Sequence, residues 1–174
     1  MKALRGVELK RFLRRGPTPR RQLAILLQSV AYPVNVGSIF RIADACNVRD
    51  LVLCGITPTP PHPTISKVGR AKEHRVPWRY VARAEDAALE LKAAGYHLCA
   101  LEITDSARLY TEYPFPANVC FIVGNEDHGV TQSMLALCDG AAYVPMFGKG
   151  RSLNVHVSLA IVCYHALLVA PPAG

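Results

Sequence analysis

The chain has 174 residues, 51% of them hydrophobic, six cysteines and a formal net charge of +7. That length fits one domain with a real core, and no apolar stretch with a small-residue cleavage site stands at the start, so no secretory leader is expected. The longest apolar run, Val155 to Ala170, contains His156, Ser158 and His165 and is short for a membrane span, so it reads as a buried helix and no membrane partner is expected.

The charge is concentrated at the beginning. Residues 1–22 hold Lys2, Arg5, Lys10, Arg11, Arg14, Arg15, Arg20 and Arg21 against Glu8 alone, and the rest of the chain is formally neutral. This divides the sequence into a basic arm, 1–22, and a domain, 23–174. Lys and Arg neutralise phosphates and release their counterions, so a basic arm on a neutral domain suits a polyanion; the plainer reading is a solvated extension. Gly16-Pro17-Thr18-Pro19 would stop any helix in the arm.

Leu23 to Val30 has the length and composition of a buried strand. After a break at Tyr32-Pro33, a helix is expected from about Gly37 to Asn47, then a strand from Asp50 to Cys54. Pro58, Pro60, Pro61 and Pro63 make residues 55–64 irregular, and the loop continues through Lys67, Arg70, Lys72 and Arg75. Ala84 to Ala94 reads as a helix stopped by Gly95, Tyr96 to Ile103 and Asn118 to Val123 as strands, and Thr131 to Cys138 as a short helix capped by Thr131. A last strand, Ala141 to Val144, precedes a final helix from about Leu153 to Val169. Strands alternating with helices predict an α/β fold, a mostly parallel sheet flanked by helices.

The cysteines form no C-x-x-C pair and fall mostly inside apolar elements, where free Cys behaves as a small hydrophobe. Neither disulfides nor a structural metal site are expected, and a reducing cytoplasm is the natural location. No G-x-G-x-x-G, no phosphate-binding G-x-x-x-x-G-K-[ST] and no G-x-S-x-G is present, which disfavours dehydrogenases, NTPases and α/β-hydrolases.

Three separated segments combine glycines with polar side chains near predicted strand ends, where ligands bind in such sheets. The first is Asn35-Val36-Gly37-Ser38-Ile39-Phe40-Arg41, with an orienting amide and an always-charged planar fork. The second is Gly124-Asn125-Glu126-Asp127-His128-Gly129, where Glu126 could tie down the loop or act as an acid or base. His128 is tempting as a catalyst, but exposed loops are rich in polar residues and nothing else requires it. The third runs from Pro145-Met146-Phe147-Gly148 into Ser152-Leu153-Asn154-Val155. Each has a plain alternative as a cap or turn, such as an N-capping Asn35 or Ser152.

In this order and spacing the three segments resemble the SpoU (TrmH-like) branch of the SPOUT RNA methyltransferases, over roughly residues 23–170. The resemblance implies a C-terminal trefoil knot, which general chain topology would argue against, and a homodimer. It implies methyl transfer from S-adenosyl-L-methionine to a ribose 2′-hydroxyl, most readily of tRNA, with rRNA as the second choice. By this similarity Arg41 stands nearest the target hydroxyl, Asn35 positions Arg41, and Ser152 and Asn154 complete the catalytic set with Glu126 in support. The backbone around Leu101, Gly124, Val144, Met146, Ser152 and Leu153 would hold the cofactor. Many members have a small residue where this chain has His156, which reads as tolerated. Because arginine is effectively never deprotonated, either Arg41 lowers the hydroxyl's pKa while phosphate or water takes the proton, or a buried pocket tunes it unusually. Base methylation, a non-catalytic RNA-binding protein on the same fold, and a small-molecule α/β enzyme are the competing readings.

Overall fold

Four runs in this chain are apolar at nearly every position rather than at alternate ones, and such strands need cover on both faces. The computed structural model, which describes residues 1–170, provides that cover. Seven strands form one sheet: β1 (Gln22–Gln28), β2 (Asp50–Cys54), β3 (Trp78–Val81), β4 (His97–Leu101), β5 (Arg108–Leu109), β6 (Asn118–Val123) and β7 (Gly140–Tyr143). Their order is β3-β2-β1-β6-β4-β7-β5, and every pairing is parallel.

Six α-helices accompany the sheet: α1 (Gly6–Leu13), α2 (Pro33–Ala45), α3 (Pro63–Gly69), α4 (Ala84–Ala93), α5 (Gln132–Leu135) and α6 (Val155–Leu168). Alternate residues of β1 enter opposite cores. Leu23, Ile25 and Leu27 pack with α2 and α6 on one face, while Ala24 and Leu26 pack with α4 and α5 on the other. The expected α/β sheet flanked by helices is therefore the observed architecture.

Several boundaries differ from expectation. Pro33 does not break the chain but occupies the first turn of α2, where its missing N–H costs nothing. Asn35 is consequently inside the helix, and the N-cap is Tyr32. The proline-rich segment ends the same way: Pro63 opens α3, His62 Nδ1 accepts from Thr64 N at 3.2 Å, and a 3-10 turn follows at Lys72–His74. Residues 63–74 are thus largely helical rather than an irregular loop. Gly37 serves this packing: a Cβ there would lie 2.9 Å from Val68 Cβ and 3.0 Å from Ile65 O. Its lack of a side chain lets α2 and α3 touch.

Residues 1–20 are exposed throughout, α1 included, and burial begins at Arg21. The Arg21 guanidinium donates to Phe115 O at 3.0 and 2.8 Å, to Ala170 O at 3.0 Å, and to Ala166 O and Val169 O. One buried cation so ties the end of α6 to the start of β1, where a positive charge also favours the helix C-terminus. Among the described residues no helix is long and apolar enough to cross a membrane.

Candidate active site

The sheet reverses its winding between β1 and β6, and the segments leaving the carboxyl ends of β1, β6, β4 and β7 enclose one cavity of about 800 Å³. That volume lies within the roughly 300–1,000 Å³ range of small-molecule sites.

One end of the cavity is polar. Glu126, in the turn after β6, accepts from Ala31 N at 2.8 Å, Tyr32 N at 3.1 Å and Asn35 Nδ2 at 2.7 Å. Partial burial pushes its carboxyl up, but these donors outweigh it and hold the group below the usual carboxylate range. Glu126 is therefore an anion at neutral pH, and it binds the start of α2 to the loop after β6. The other end of the Asn35 amide faces α6, where its Oδ1 lies 3.1 Å from His156 Nδ1. Asn35 is thus engaged on both sides by Glu126 and His156. Among the described residues no hydrogen bond joins it to Arg41, the partner expected from sequence.

The loop between Gly124 and Gly129 is built by Asn125, a residue whose role the sequence did not signal. Asn125 exchanges two backbone bonds with Gly129, at 3.2 and 2.8 Å, and its Nδ2 donates to Ser29 O at 2.9 Å. Its Oδ1 accepts from Asp127 N at 3.0 Å and His128 N at 3.2 Å. Any Cβ at Gly124 would collide with the backbone of Gly129. Gly129, at φ 67°, is in the left-handed region. Here glycine is required by the turn. The His128 side chain is exposed.

The other walls mix apolar and polar side chains. Leu101, Val144, Met146 and Leu153 line them, together with Gly124 and Ser152, so all six residues expected around a cofactor border the cavity. Asn35, Glu126 and Asn154 border it as well. Asn154, rather than Ser152, caps α6: its Oδ1 accepts from His156 N at 3.3 Å. Arg41 is the exception. It sits on α2 with its side chain exposed and does not line the cavity. Thr104 is a further lining residue, and its Oγ1 is buried without a hydrogen-bond partner among the described residues. A buried hydroxyl left unpaired inside a cavity fits a polar ligand that completes it. Walls of mixed polar and apolar side chains and one orphan hydroxyl fit a nucleoside-like cofactor with a polar tail.

Burial holds the His156 imidazole below its ordinary pKa, so it is neutral at physiological pH. Because Glu126 can only accept, Asn35 must present its NH2 to it and its carbonyl oxygen to His156. His156 must then carry its proton on Nδ1, which leaves the Nε2 lone pair as an acceptor.

Comparison with known proteins agrees with this geometry. The profile of the SpoU rRNA Methylase family matches residues 22–164. The tRNA (guanosine(18)-2'-O)-methyltransferase of Escherichia coli is 32% identical over 157 residues, which cover 89% of this chain and 68% of that enzyme. The enzyme of the same name from Thermus thermophilus is 33% identical over 149 residues, covering 84% of this chain and 76% of the relative. Among solved structures, the SpoU methyltransferase AviRb from Streptomyces viridochromogenes superposes with a TM-score of 0.76 at 25% identity, over 89% of this chain and 62% of its own length.

Proposed function

The chain belongs to the SpoU family of RNA methylases, and from that premise we propose that it transfers a methyl group from S-adenosyl-L-methionine to a ribose 2′-hydroxyl of RNA, with tRNA as the leading substrate. The observation that carries this reading is the convergence of Asn35, Glu126 and Asn154, from three distant segments, on one cavity whose other walls fit a nucleoside. The tRNA preference rests on the two tRNA-modifying relatives; rRNA is the second choice, in keeping with the family's description.

Leu101, Gly124, Val144, Met146, Ser152 and Leu153 would hold S-adenosylmethionine, which when bound would supply an electrophilic methyl group. The protein's part is to align the hydroxyl oxygen with that methyl and to manage charge. Glu126 fixes Asn35 and the entry to α2; Asn154 caps α6 and presents the Ser152-Leu153 backbone to the cavity. Arg41, exposed on the same helix as Asn35, is available to an RNA phosphate or to the reacting ribose. Its guanidinium stabilises negative charge and does not take a proton.

The same premise carries the remaining assignments. The knotted path is supported by residues 124–129 and by Val144, Met146 and residues 151–155 lining one cavity. A homodimer is supported by α6, which is apolar all round: Leu159, Val162 and Cys163 are buried, while Val157, Tyr164 and Leu168 are exposed and available to a second copy. Of the basic segment 1–22, residues 1–20 form an arm for the RNA backbone, since α1 and the residues after it collect Lys10, Arg11, Arg14 and Arg15 on one side, while Arg21 and Gln22 belong with 23–174 to the catalytic domain. A tRNA or rRNA substrate supports the cytoplasm as the site of the reaction.

Labelled S-adenosylmethionine with unmodified bulk tRNA and rRNA, followed by nuclease digestion and nucleoside mass spectrometry, tests the reading. A 2′-O-methylated nucleoside from either pool is expected. A base-methylated product, or binding of RNA with no cofactor affinity, would replace it with one of the competing readings.

A further inference from the structure

Phe147 is 97% exposed, against 52% for Tyr32 and 49% for Tyr80 and Tyr164. It stands in the segment that joins two parts of the cavity wall. This segment leaves β7 at Tyr143, contributes Val144 and Met146 to the lining, and rejoins the wall from Arg151 to Val155. It then reaches the far side, where His156 meets Asn35. Residues 147–150 do not line the cavity but join Met146 to Arg151, which do, and so form part of its rim. The rim therefore carries one bare aromatic ring, with Lys149 and Arg151 exposed beside it and in no ion pair among the described residues. A Cβ at Gly148 would meet no atom within 4 Å. Packing does not demand that glycine, and its freedom leaves the rim able to adjust to what approaches.

An aromatic side chain loses burial free energy when held in water. Its placement at the entrance of a site, with cations two and four positions on, has the composition used to grip unpaired nucleic acid: a ring for the face of a base and cations for the phosphates. Duplex RNA offers no free base face.

We propose that Phe147 stacks on an unpaired nucleobase of the RNA as its ribose enters the cavity, with Lys149 and Arg151 holding the adjoining phosphates. The inference rests on the RNA-methylating reading above and narrows the substrate to a nucleotide in a loop or single strand.

Two measurements on the full chain test it. In the first, the KM for unmodified bulk tRNA is compared for the wild type, Phe147→Ala, Phe147→Leu and Phe147→Trp. Stacking predicts a KM raised about tenfold in the Ala and Leu variants and restored within about twofold by Trp, with cofactor Kd unchanged in all. An unchanged KM for Phe147→Ala, or full recovery with Leu, overturns stacking. So does a loss that tracks dissociation of dimers in sedimentation, which would assign the ring to a second copy of the chain. The second measurement separates this inference from the reading beneath it, because it needs no turnover. Fluorescence anisotropy compares a labelled single-stranded RNA 12-mer with the same sequence as a blunt duplex. Weaker binding of the single strand alone by Phe147→Ala supports the platform even if no methyl transfer is found; equal effects on both, or none, overturn it.

Discussion

His156 Nδ1 lies 3.1 Å from Asn35 Oδ1, across a gap of 121 residues, and this contact sets the orientation of an amide that also binds Glu126 at 2.7 Å. Replacing His156 by Ala would leave the Asn35 oxygen without its partner and free the amide to turn. A hydrogen bond of this kind is worth about 1 kcal/mol. Turnover is expected to fall about tenfold while cofactor Kd, measured by calorimetry, stays within about twofold. His156→Gln, which keeps a donor, should recover part of the rate. A larger loss in cofactor affinity than in turnover would show that His156 supports the cavity walls instead.

Acid should destabilise the fold through its histidines. Burial holds His97, His156 and His165 below their ordinary value, with Asp139 opposing the shift at His97 and Arg21 adding to it at His165. In the unfolded chain each takes up a proton near pH 6.5, while the folded form resists until lower pH. The unfolded state therefore binds more protons in that window, and stability falls as pH drops below about 6.5. Glu126 and Asp139, whose carboxyls are held down in the fold, add a second loss only at lower pH. Urea midpoints at pH 7.5 and 5.5 check this; equal midpoints would mean that the imidazoles are not protected.

Arg21 is predicted to be the most costly single cation to remove. Its guanidinium serves Phe115 O and three carbonyls at the end of α6. Each buried acceptor left unpaired costs about 1–3 kcal/mol. Arg21→Ala is expected to lower stability by about 3 kcal/mol or more in urea unfolding, and Arg21→Lys to recover less than half, since an ammonium lacks the planar fork. A loss below about 1 kcal/mol would show that water replaces the clamp.

The strands that proved most legible, β1, β2, β4 and β6, are those buried on both faces, because burial writes a continuous apolar run into the sequence. β3 writes no such run because Trp78 to Val81 is only partly covered, and β5 writes none because two residues carry no pattern. The prolines misled in one direction only. Pro33 and Pro63 both start helices, where their fixed φ is already suitable. In the site, the segments of Asn35, Glu126 and Asn154 were legible through the resemblance of three motifs in order and spacing, and those three residues border the cavity. The contacts of Thr104, Asn125 and His156 were not legible. Each is an ordinary polar residue whose partner or cavity is made by segments remote in the chain, such as Ser29 for Asn125, 96 residues away.

Arg41 separates folding from chemistry. Its side chain is exposed and makes no hydrogen bond or ion pair among the described residues, so Arg41→Ala should change stability by less than about 0.5 kcal/mol. If its charge acts on the reacting hydroxyl, methyl transfer falls about 100-fold or more. Arg41→Lys should remain well below the wild type if the two-pronged geometry matters. Near-normal turnover in the Ala variant would remove Arg41 from the site and leave the charge to another residue.

The arm offers the clearest reading by salt. Because Arg21 is part of the folded body, the deletion must stop short of it, and removing residues 1–19 takes away Lys2, Arg5, Lys10, Arg11, Arg14 and Arg15 while leaving the clamp on α6 intact. α1 contributes no buried residue, so the truncated chain should fold with an unchanged urea midpoint. For every phosphate that the arm no longer neutralises, the slope of log K against log salt becomes shallower by about 0.7–0.9. RNA affinity at low salt is therefore expected to fall, the slope to flatten by several such steps, and cofactor affinity to stay the same. An unchanged slope would mean that α1 does not touch the phosphates; its exposed Leu9, Phe12 and Leu13 would then be the features left to explain why an amphipathic helix stands free of the domain.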